Sequence, residues 1–313
     1  MAIPDGSRPF VGDGGLETTM IFGEGIELPE FASFVLLEDE AGRVALRRYY
    51  ERFAAIAADH EVGFTLDTPT WRASANWGER LGYSPRRLAE LNREAVALSQ
   101  RLREEWQSET TPIAVCGVLG PEDDAYRPSR HLSAAEAEDY HAAQVAALAA
   151  AGAEMISAYT LSYVEEAIGM VRAAAVAGLP VSIAFTVETD GRLPSGEPLG
   201  EAVERLDAGT GAAAEYLMVN CAHPTHFAAE LEAGEDWVGR IAGIRANASR
   251  RSHAELDEAE DLDSGDPAEL GREYGALVPA LPDLRVAGGC CGTDHRHVDQ
   301  IAAACAPLFP KAA

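Results

Sequence analysis

The sequence has few basic residues, few cysteines and no long apolar run. Its 313 residues include 25 lysines and arginines against 51 aspartates and glutamates, which gives a formal net charge of −26 at pH 7. Such a charge repels nucleic-acid phosphates and anionic membrane surfaces, so we expect neither nucleic acid nor membrane as a partner. Five cysteines are too few for a disulfide scaffold, and their odd number favours a reducing compartment.

No segment resembles a targeting signal or a membrane span. Pro4, Asp5 and Gly6 interrupt the first ten residues, which lack an apolar stretch of signal-peptide length. No window approaches the roughly 20 consecutive apolar residues that a membrane helix needs. We therefore expect a cytoplasmic protein, and the sequence leaves its oligomeric state open.

Short apolar runs alternate with longer segments of helical periodicity along the chain. Eight candidate strands span residues 10–16, 62–68, 113–119, 155–160, 181–187, 216–221, 240–245 and 285–289. Many are almost continuously apolar, which is typical of parallel strands buried on both faces. Between them apolar residues recur at steps of three and four, as from Leu88 to Leu102, where Ser84 and Pro85 indicate a helix start. Eight units of about 39 residues predict an α/β protein with a single (β/α)8 TIM barrel.

A doubly wound open sheet is the competing fold. Residues 12–15 (GDGG) follow the first candidate strand, but they lack the Gly-x-Gly-x-x-Gly spacing of a dinucleotide-binding turn. We also expect no clear helix directly after them. No linker divides the chain, and the acidic stretch 255–266 (ELDEAEDLDSGD) comes closest to one. We interpret that stretch as a solvated loop between the seventh and eighth units.

Three of the five cysteines lie at predicted C-terminal strand ends, where a barrel builds its active site. Cys221 ends the sixth candidate strand, and Cys290 and Cys291 follow the eighth within the glycine-flanked segment GGCCG. The glycines permit the backbone bend that neighbouring thiols need to reach one ion. Three thiolates could hold zinc and leave its fourth position open, which is typical of catalytic sites. Cysteine is also a common core residue, and we interpret Cys116 and Cys305 in that way.

Histidines offer an alternative set of ligands. His223 and His226 follow Cys221 closely, and His295 and His297 follow Cys291. A mixed cysteine–histidine site with an activated water would make the protein a metal-dependent hydrolase. A histidine in the first turn of a helix is more often a solvated or capping residue, so the residues alone leave both interpretations open.

Three segments resemble the zinc-dependent homocysteine S-methyltransferases: residues 13–18 (DGGLET), 219–224 (VNCAHP) and 288–293 (GGCCGT). The resemblance extends over nearly the whole chain and implies one homocysteine-binding-type (β/α)8 barrel domain over residues 1–313. It implies that Cys221, Cys290 and Cys291 bind Zn2+ and that the thiol of homocysteine, or of a related molecule, accepts a methyl group in methionine biosynthesis. Because the chain is too short for a cobalamin or folate module beside the barrel, we expect S-methylmethionine or S-adenosylmethionine as the donor.

The resemblance also implies an acceptor pocket lined by Asp13, Thr18, Thr160 and Asn220. Family members usually place a Glu-Thr pair at the end of the fourth strand, where this chain has Tyr159 and Thr160. They also carry a small residue where this chain has Glu17. We hypothesise that Glu17 supplies an acidic partner for the substrate ammonium in place of the missing glutamate.

Aromatic faces and carboxylates favour a cationic donor, and Trp71, Tyr159 and Glu188 are the candidates. The departures at Tyr159 and Glu17 leave open which thiol is the acceptor. They also leave open a non-enzymatic alternative, in which the protein binds zinc or a thiol ligand without turnover.

Overall fold

The fold is a closed barrel of eight parallel strands, seen in a computed structural model that describes residues 4, 6–259 and 261–308. Each strand pairs with the next along the chain, and the last also pairs with the first. The strands are β1 (Phe10–Val11), β2 (Gly63–Asp67), β3 (Ile113–Leu119), β4 (Met155–Leu161), β5 (Val181–Phe185), β6 (Tyr216–Asn220), β7 (Ile241–Ala246) and β8 (Val286–Gly289). The prediction of a (β/α)8 TIM barrel is confirmed.

Helices connect the strands. They are α1 (Leu16–Thr18), α2 (Glu40–Asp59), α3 (Ala75–Arg80), α4 (Pro85–Trp106), α5 (Ala134–Ala150), α6 (Val164–Ala177), α7 (Leu199–Thr210), α8 (Pro224–Glu232), α9 (His253–Asp257), α10 (Pro267–Leu277) and α11 (His295–Cys305). A π-helical segment, Thr19–Gly23, continues α1, and short 3-10 turns lie at Pro29–Phe31, Ser33–Leu37, Asp236–Arg240, Val278–Ala280 and Ala306–Leu308. Within the described part of the chain, no helix combines the length and the apolarity that crossing a membrane requires.

Local sequence signals explain where the helices begin and end. The hydroxyl of Ser84 accepts a hydrogen bond from the backbone N–H of Arg87 at 3.2 Å, and Pro85 is the first residue of α4, so the predicted start is confirmed. Ser133 caps α5 in the same way, together with Glu136. Helix α6 ends at Gly178, whose φ of +72° places it in the left-handed region that glycine adopts without strain.

The apolar side chains form an outer core between strands and helices and an inner core within the barrel. All seven residues of β3 are buried, as expected for a strand covered on both faces. Phe10, Met155, Tyr216 and Met218 belong to the inner core. Polar residues such as Asp67 and Arg245 are buried near the C-terminal ends of their strands, and this polar end of the barrel positions the site.

Strand β1 ends at Val11, which is shorter than the predicted span 10–16. Glycines turn the chain toward the end of β8 at this point. A Cβ atom on Gly14 would lie 2.7 Å from the carbonyl oxygen of Thr293, and one on Gly15 would lie 2.7 Å from that of Cys290. The two backbones therefore pass too close for side chains. Helix α1 follows directly, so the expectation of no helix after residues 12–15 is wrong.

Candidate active site

A cavity of about 470 Å³ opens at the C-terminal ends of the strands. Of the site residues predicted from the sequence, the structure brings all but Glu188 to its wall: Asp13, Glu17, Thr18, Trp71, Tyr159, Thr160, Asn220, Cys221, Cys290 and Cys291. These residues come from the ends of β1, β2, β4, β6 and β8 and the segments that follow them. Their side chains therefore surround one space, although up to 278 positions separate them in the sequence.

Three free cysteines meet in the wall of this cavity. The sulfur of Cys221 lies 2.7 Å from that of Cys290 and 3.6 Å from that of Cys291, and all three lie within 4.8 Å of one another. None forms a disulfide. Among the described residues, this is the one group of three or more histidine, cysteine or acidic side chains close enough to hold a metal ion.

The protonation of the three thiols is interdependent. Hydrogen bonds from Cys290 and Cys291 lower the pKa of Cys221, and the same contacts raise the pKa of Cys290 and Cys291 above the ordinary thiol value. Three thiolates at this spacing repel one another unless a cation lies between them. A tetrahedral zinc with sulfur ligands at about 2.3 Å would place the sulfur atoms about 3.8 Å apart. This spacing is close to the 3.6 Å between Cys221 and Cys291 and wider than the 2.7 Å between Cys221 and Cys290. The donor set therefore fits a zinc ion with an open fourth position.

Cys221 has a left-handed backbone conformation with a φ of +54°, and its carbonyl group is held firmly. The side-chain amide of Asn247 donates to this carbonyl at 3.0 Å, and His253 Nε2 lies 2.7 Å from it. The hydroxyl of Tyr126 donates to the sulfur of Cys221 at 3.1 Å, and the Tyr126 ring stacks on His253 at 3.9 Å. Glu188, a sequence candidate for contacting the donor, instead lies 3.2 Å from His253 Nδ1.

The loop after β8 is fixed from both sides. The backbone N–H of Gly292 donates to the hydroxyl of Thr18 at 3.2 Å, and the hydroxyl of Thr293 donates to the carbonyl of Cys290 at 2.7 Å. Gly292 has a φ of +78°, which a residue with a side chain adopts only under strain. The glycine frame predicted to bend the backbone at the cysteine pair is therefore in place.

A buried arginine joins two carboxylates beside the cysteines. Arg245, in β7, forms ion pairs with Asp13 and Asp67, and its Nε donates to the carbonyl of Gly289 at 3.1 Å. Its remaining N–H groups reach the hydroxyl of Tyr159 at 3.2 Å and the carbonyl of Asp13 at 3.3 Å. All five guanidinium donors thus have acceptors within the protein.

Sequence reasoning missed Arg245, Tyr126 and His253. Arg245 had a visible signal, because it is the one charged residue in a strand that is otherwise apolar. Tyr126 and His253 had none, since their contacts depend on two loops that meet only in the folded barrel.

Tyr159 occupies the position at which family members usually carry a glutamate, and it forms a different hydrogen-bond network there. The Tyr159 hydroxyl donates to Asp67 Oδ2 at 2.9 Å, and the indole N–H of Trp71 donates to the carbonyl of Tyr159 at 3.3 Å. Burial raises the pKa of Asp67 to about 6, although the Arg245 guanidinium opposes the shift. A carboxylate is therefore still present here, but it comes from β2.

Glu17 reaches the cavity from α1. The hydroxyl of Ser33 donates to its Oε1 at 2.7 Å. Burial raises the pKa of Glu17 to about 7, and the hydrogen bond from Ser33 only partly offsets this effect. Among the described residues, no basic side chain lies within ion-pair distance of Glu17, so its carboxylate remains available to a ligand.

The described residues of the acidic stretch are exposed or half-buried, as expected for a solvated segment, but not all of them form a loop. Its first residues belong to α9, which Ser252 and Glu255 cap reciprocally. Six residues of the stretch form part of the cavity wall: Leu256, Asp257, Ala259, Asp261, Leu262 and Asp263. Leu256 is half-buried and Leu262 is exposed, so the stretch borders the cavity while it remains accessible to solvent.

The four histidines of the alternative ligand set lie outside the cysteine cluster. His223 caps α8 and lies 3.2 Å from Glu273, and His226 lies 2.9 Å from the carbonyl of Arg250. His297 lies 2.7 Å from the carbonyl of Ser264. His295 lines a separate surface groove between α2, α10 and α11. None of these four histidines therefore lies beside the three sulfur atoms, where the hydrolase alternative needs a histidine ligand.

Comparison with known proteins gives one family. A model of the homocysteine S-methyltransferase family matches residues 10–305, whereas no curated protein matches the chain. The oxidized form of the homocysteine methyltransferase MmuM from Escherichia coli is similar, with a TM-score of 0.76 at 20% identity over 95% of this chain and 96% of that one. Its metallated form gives a TM-score of 0.72 with the same identity and coverage. Since the family model spans most of the sequence, this chain belongs to the homocysteine S-methyltransferase family and is a methyltransferase.

Proposed function

We propose that the protein transfers a methyl group from a small sulfonium donor, S-methylmethionine or S-adenosylmethionine, to the thiol of homocysteine or a related acceptor. Cys221, Cys290 and Cys291 would hold a zinc ion that assists this transfer. The observation that carries the proposal is the meeting of three free thiols from β6 and β8 in the wall of one cavity. With homocysteine as acceptor the product is methionine, which assigns the reaction to methionine biosynthesis.

The bound metal would supply one element of the chemistry, a lowered pKa for the acceptor thiol. A free thiol with a pKa near 8.5 is mostly protonated at neutral pH, and the thiolate is the nucleophile. In the transfer itself the acceptor sulfur forms a bond to the methyl carbon while the carbon–sulfur bond of the donor breaks. The electron pair of the broken bond stays on the donor sulfur, which leaves as a neutral thioether. No general acid is required.

The protein's own residues would hold the two substrates in line. Thr18 holds the backbone after Cys291 through Gly292, and Asn220, directly before Cys221, holds the backbone of Thr160. We expect Glu17 to receive the ammonium of the acceptor, because its carboxylate faces the cavity without a basic partner among the described residues.

Asp13, Tyr159 and Asp67 form a buried wall whose charge Arg245 partly balances. The excess of carboxylates and the faces of Trp71 and Tyr159 favour a positively charged donor. Alignment of the two sulfur atoms and the methyl carbon within about 3–3.5 Å is the main remaining requirement.

The test is methyl transfer from labelled donors. Reduced, zinc-loaded protein is incubated with homocysteine and trideuteromethyl-labelled S-methylmethionine or S-adenosylmethionine, and the products are identified by mass spectrometry. We expect labelled methionine from one donor, a strong loss of activity in Cys290→Ser and retained activity in Cys305→Ala, since Cys305 lies in the core away from the cavity. Tight ligand binding without any methylated thiol would instead support the binding-protein alternative, and metal-dependent ester or amide cleavage would support the hydrolase.

A further inference from the structure

Arg72 is a guanidinium in the cavity wall whose hydrogen-bonding capacity is largely unused. Its Nη1 donates to the carbonyl of Glu30, and its Nε is buried without any hydrogen-bond partner. No carboxylate of a described residue lies within ion-pair distance of it. Arg245, the other arginine in the wall, has all five donors engaged. Arg72 is thus the arginine of the described wall that can still bind an anion.

The position of Arg72 is fixed before any ligand arrives. Its guanidinium carbon lies 3.8 Å from the ring centroid of Trp77 and 5.0 Å from that of Trp71. These two rings hold the guanidinium plane, so little conformational freedom remains to be lost on binding. Burial lowers the pKa of Arg72, which means that a counterion would stabilise the charge at this place.

The cavity wall is otherwise strongly acidic. Its carboxylates are Asp13, Glu17, Asp67, Asp124, Asp257, Asp261 and Asp263. A cation in such surroundings would ordinarily pair with one of them, yet Glu17 is hydrogen-bonded to Ser33 and Arg72 to the backbone of Glu30. Asp124 and Glu17 are both near enough for their charges to act on Arg72, but neither forms an ion pair with it. One carboxylate and one guanidinium therefore face the same cavity without neutralising each other.

We propose that Glu17 and Arg72 form a clamp for the zwitterionic end of an α-amino acid substrate. The ammonium binds the carboxylate of Glu17. The carboxylate binds Nη2 and the second N–H of Nη1 of Arg72, a planar pair of donors that matches the two oxygens of a carboxylate. This inference rests on the proposed function, in which homocysteine and S-methylmethionine both carry such an end.

With this clamp, the carboxylate group of the ligand determines specificity. A ligand that keeps the thiol or the sulfonium but lacks the carboxylate would cover the Arg72 guanidinium without giving it a counterion, which is costly. The wild-type protein should therefore discriminate strongly against decarboxylated analogues. Two matched pairs identify the substrate concerned: homocysteine with 3-aminopropane-1-thiol, and S-methylmethionine with (3-aminopropyl)dimethylsulfonium.

The experiment measures binding of these four ligands to reduced, zinc-loaded protein by isothermal titration calorimetry. The wild type is expected to bind the amino acid of one pair at least about tenfold more tightly than its decarboxylated partner. In Arg72→Met this preference should disappear through weaker binding of the amino acid alone. Arg72→Lys, which keeps the charge but not the planar pair of donors, should give an intermediate preference. The pair that responds identifies whether the acceptor or the donor occupies the clamp.

Arg80→Met is the matched control. Arg80 also lies over Trp77, at 4.4 Å from its ring centroid, but it pairs with Asp123 and does not line the cavity. Its substitution should leave the preference unchanged. The proposal is overturned if the wild type binds both members of each pair equally, or if Arg72→Met weakens both members to the same extent. These measurements need no turnover, so the clamp can stand where methyl transfer fails, and methyl transfer can stand where the clamp fails.

Discussion

The side chain of Asn220 holds Thr160 in a left-handed backbone conformation. Asn220 Oδ1 accepts the backbone N–H of Thr160 at 2.9 Å, and its Nδ2 donates to the hydroxyl of Thr160, also at 2.9 Å. Thr160 has a φ of +65°, which is unusual for a β-branched residue and costs about 1–3 kcal/mol. The contact spans from the end of β6 to the end of β4, directly beside Cys221. The geometry of the acceptor side of the cavity therefore depends on this pair.

Replacing Asn220 should destabilise the protein through Thr160. We expect Asn220→Ala to lower the free energy of unfolding by about 2 kcal/mol, because two buried hydrogen bonds are lost while the strained backbone remains. In a Thr160→Gly background the same substitution should cost less, since the hydroxyl that accepts one of the two hydrogen bonds is already absent. Urea unfolding of the four proteins in the cycle provides the measurement. Strictly additive effects would contradict the coupling.

Arg245 should be indispensable for folding. Arg245→Met leaves Asp13 and Asp67 buried with no cation between them, and we expect a loss of about 3–5 kcal/mol in the free energy of unfolding. Arg205→Met is the control, because Arg205 pairs with Glu165 and Glu197 at the surface. That exposed network should contribute less than about 1 kcal/mol. Similar losses in the two variants, measured by chemical denaturation, would show that Arg245 does not bridge the buried carboxylates.

The stability contributed by Glu17 should depend on pH. Burial raises its pKa from 4.5 to about 7, so the folded protein carries a cost for the ionised form. Below pH 4.5 the group is protonated in both the folded and the unfolded state, and above pH 7 it is ionised in both. Glu17→Gln should therefore be more stable than the wild type at pH 8, with the difference shrinking as the pH falls toward 4.5.

Unfolding free energies of the two proteins between pH 4.5 and 8 test this sign. Ser33→Ala provides a second variant, because it removes a hydrogen bond that favours ionised Glu17 and should move the window to higher pH. If the difference in unfolding free energy between the wild type and Glu17→Gln were constant across this pH range, the raised pKa of Glu17 would be contradicted.

The sequence was informative where local pattern and architecture coincide. Continuous apolar runs such as β3 specify buried parallel strands, and glycines around Cys290 and Cys291 indicate a bent backbone at a strand end, so both the barrel and the cysteine cluster could be predicted. The short β1 could not, because its end is set by contact with the β8 loop. The direction of a side chain within a barrel is likewise a tertiary property, which hid the roles of Arg245 and Tyr126.

The acidic stretch is solvated, as its composition predicts, and it also borders the cavity. The second property depends on how the segment folds over the barrel, which composition does not show. In the structure both Leu256 and Leu262 line the cavity.

Air oxidation should inactivate the enzyme reversibly. The sulfur atoms of Cys221 and Cys290 lie 2.7 Å apart, so an oxidant can join them in a disulfide and abolish the metal site. The number of free thiols titrated in the denatured protein should fall from five to three, with Cys116 and Cys305 still reduced. Reductant together with zinc should restore activity. Activity that is insensitive to oxidant would argue against a thiol-bound metal.

The central claim is that Cys221, Cys290 and Cys291 together hold one zinc ion, and metal analysis of the reduced protein tests it most directly. Elemental analysis by mass spectrometry should give about one zinc per chain in the wild type and in Cys305→Ala, and almost none in Cys290→Ser. A Cys290→Ser protein that remains folded and retains zinc at the wild-type level would contradict the claim.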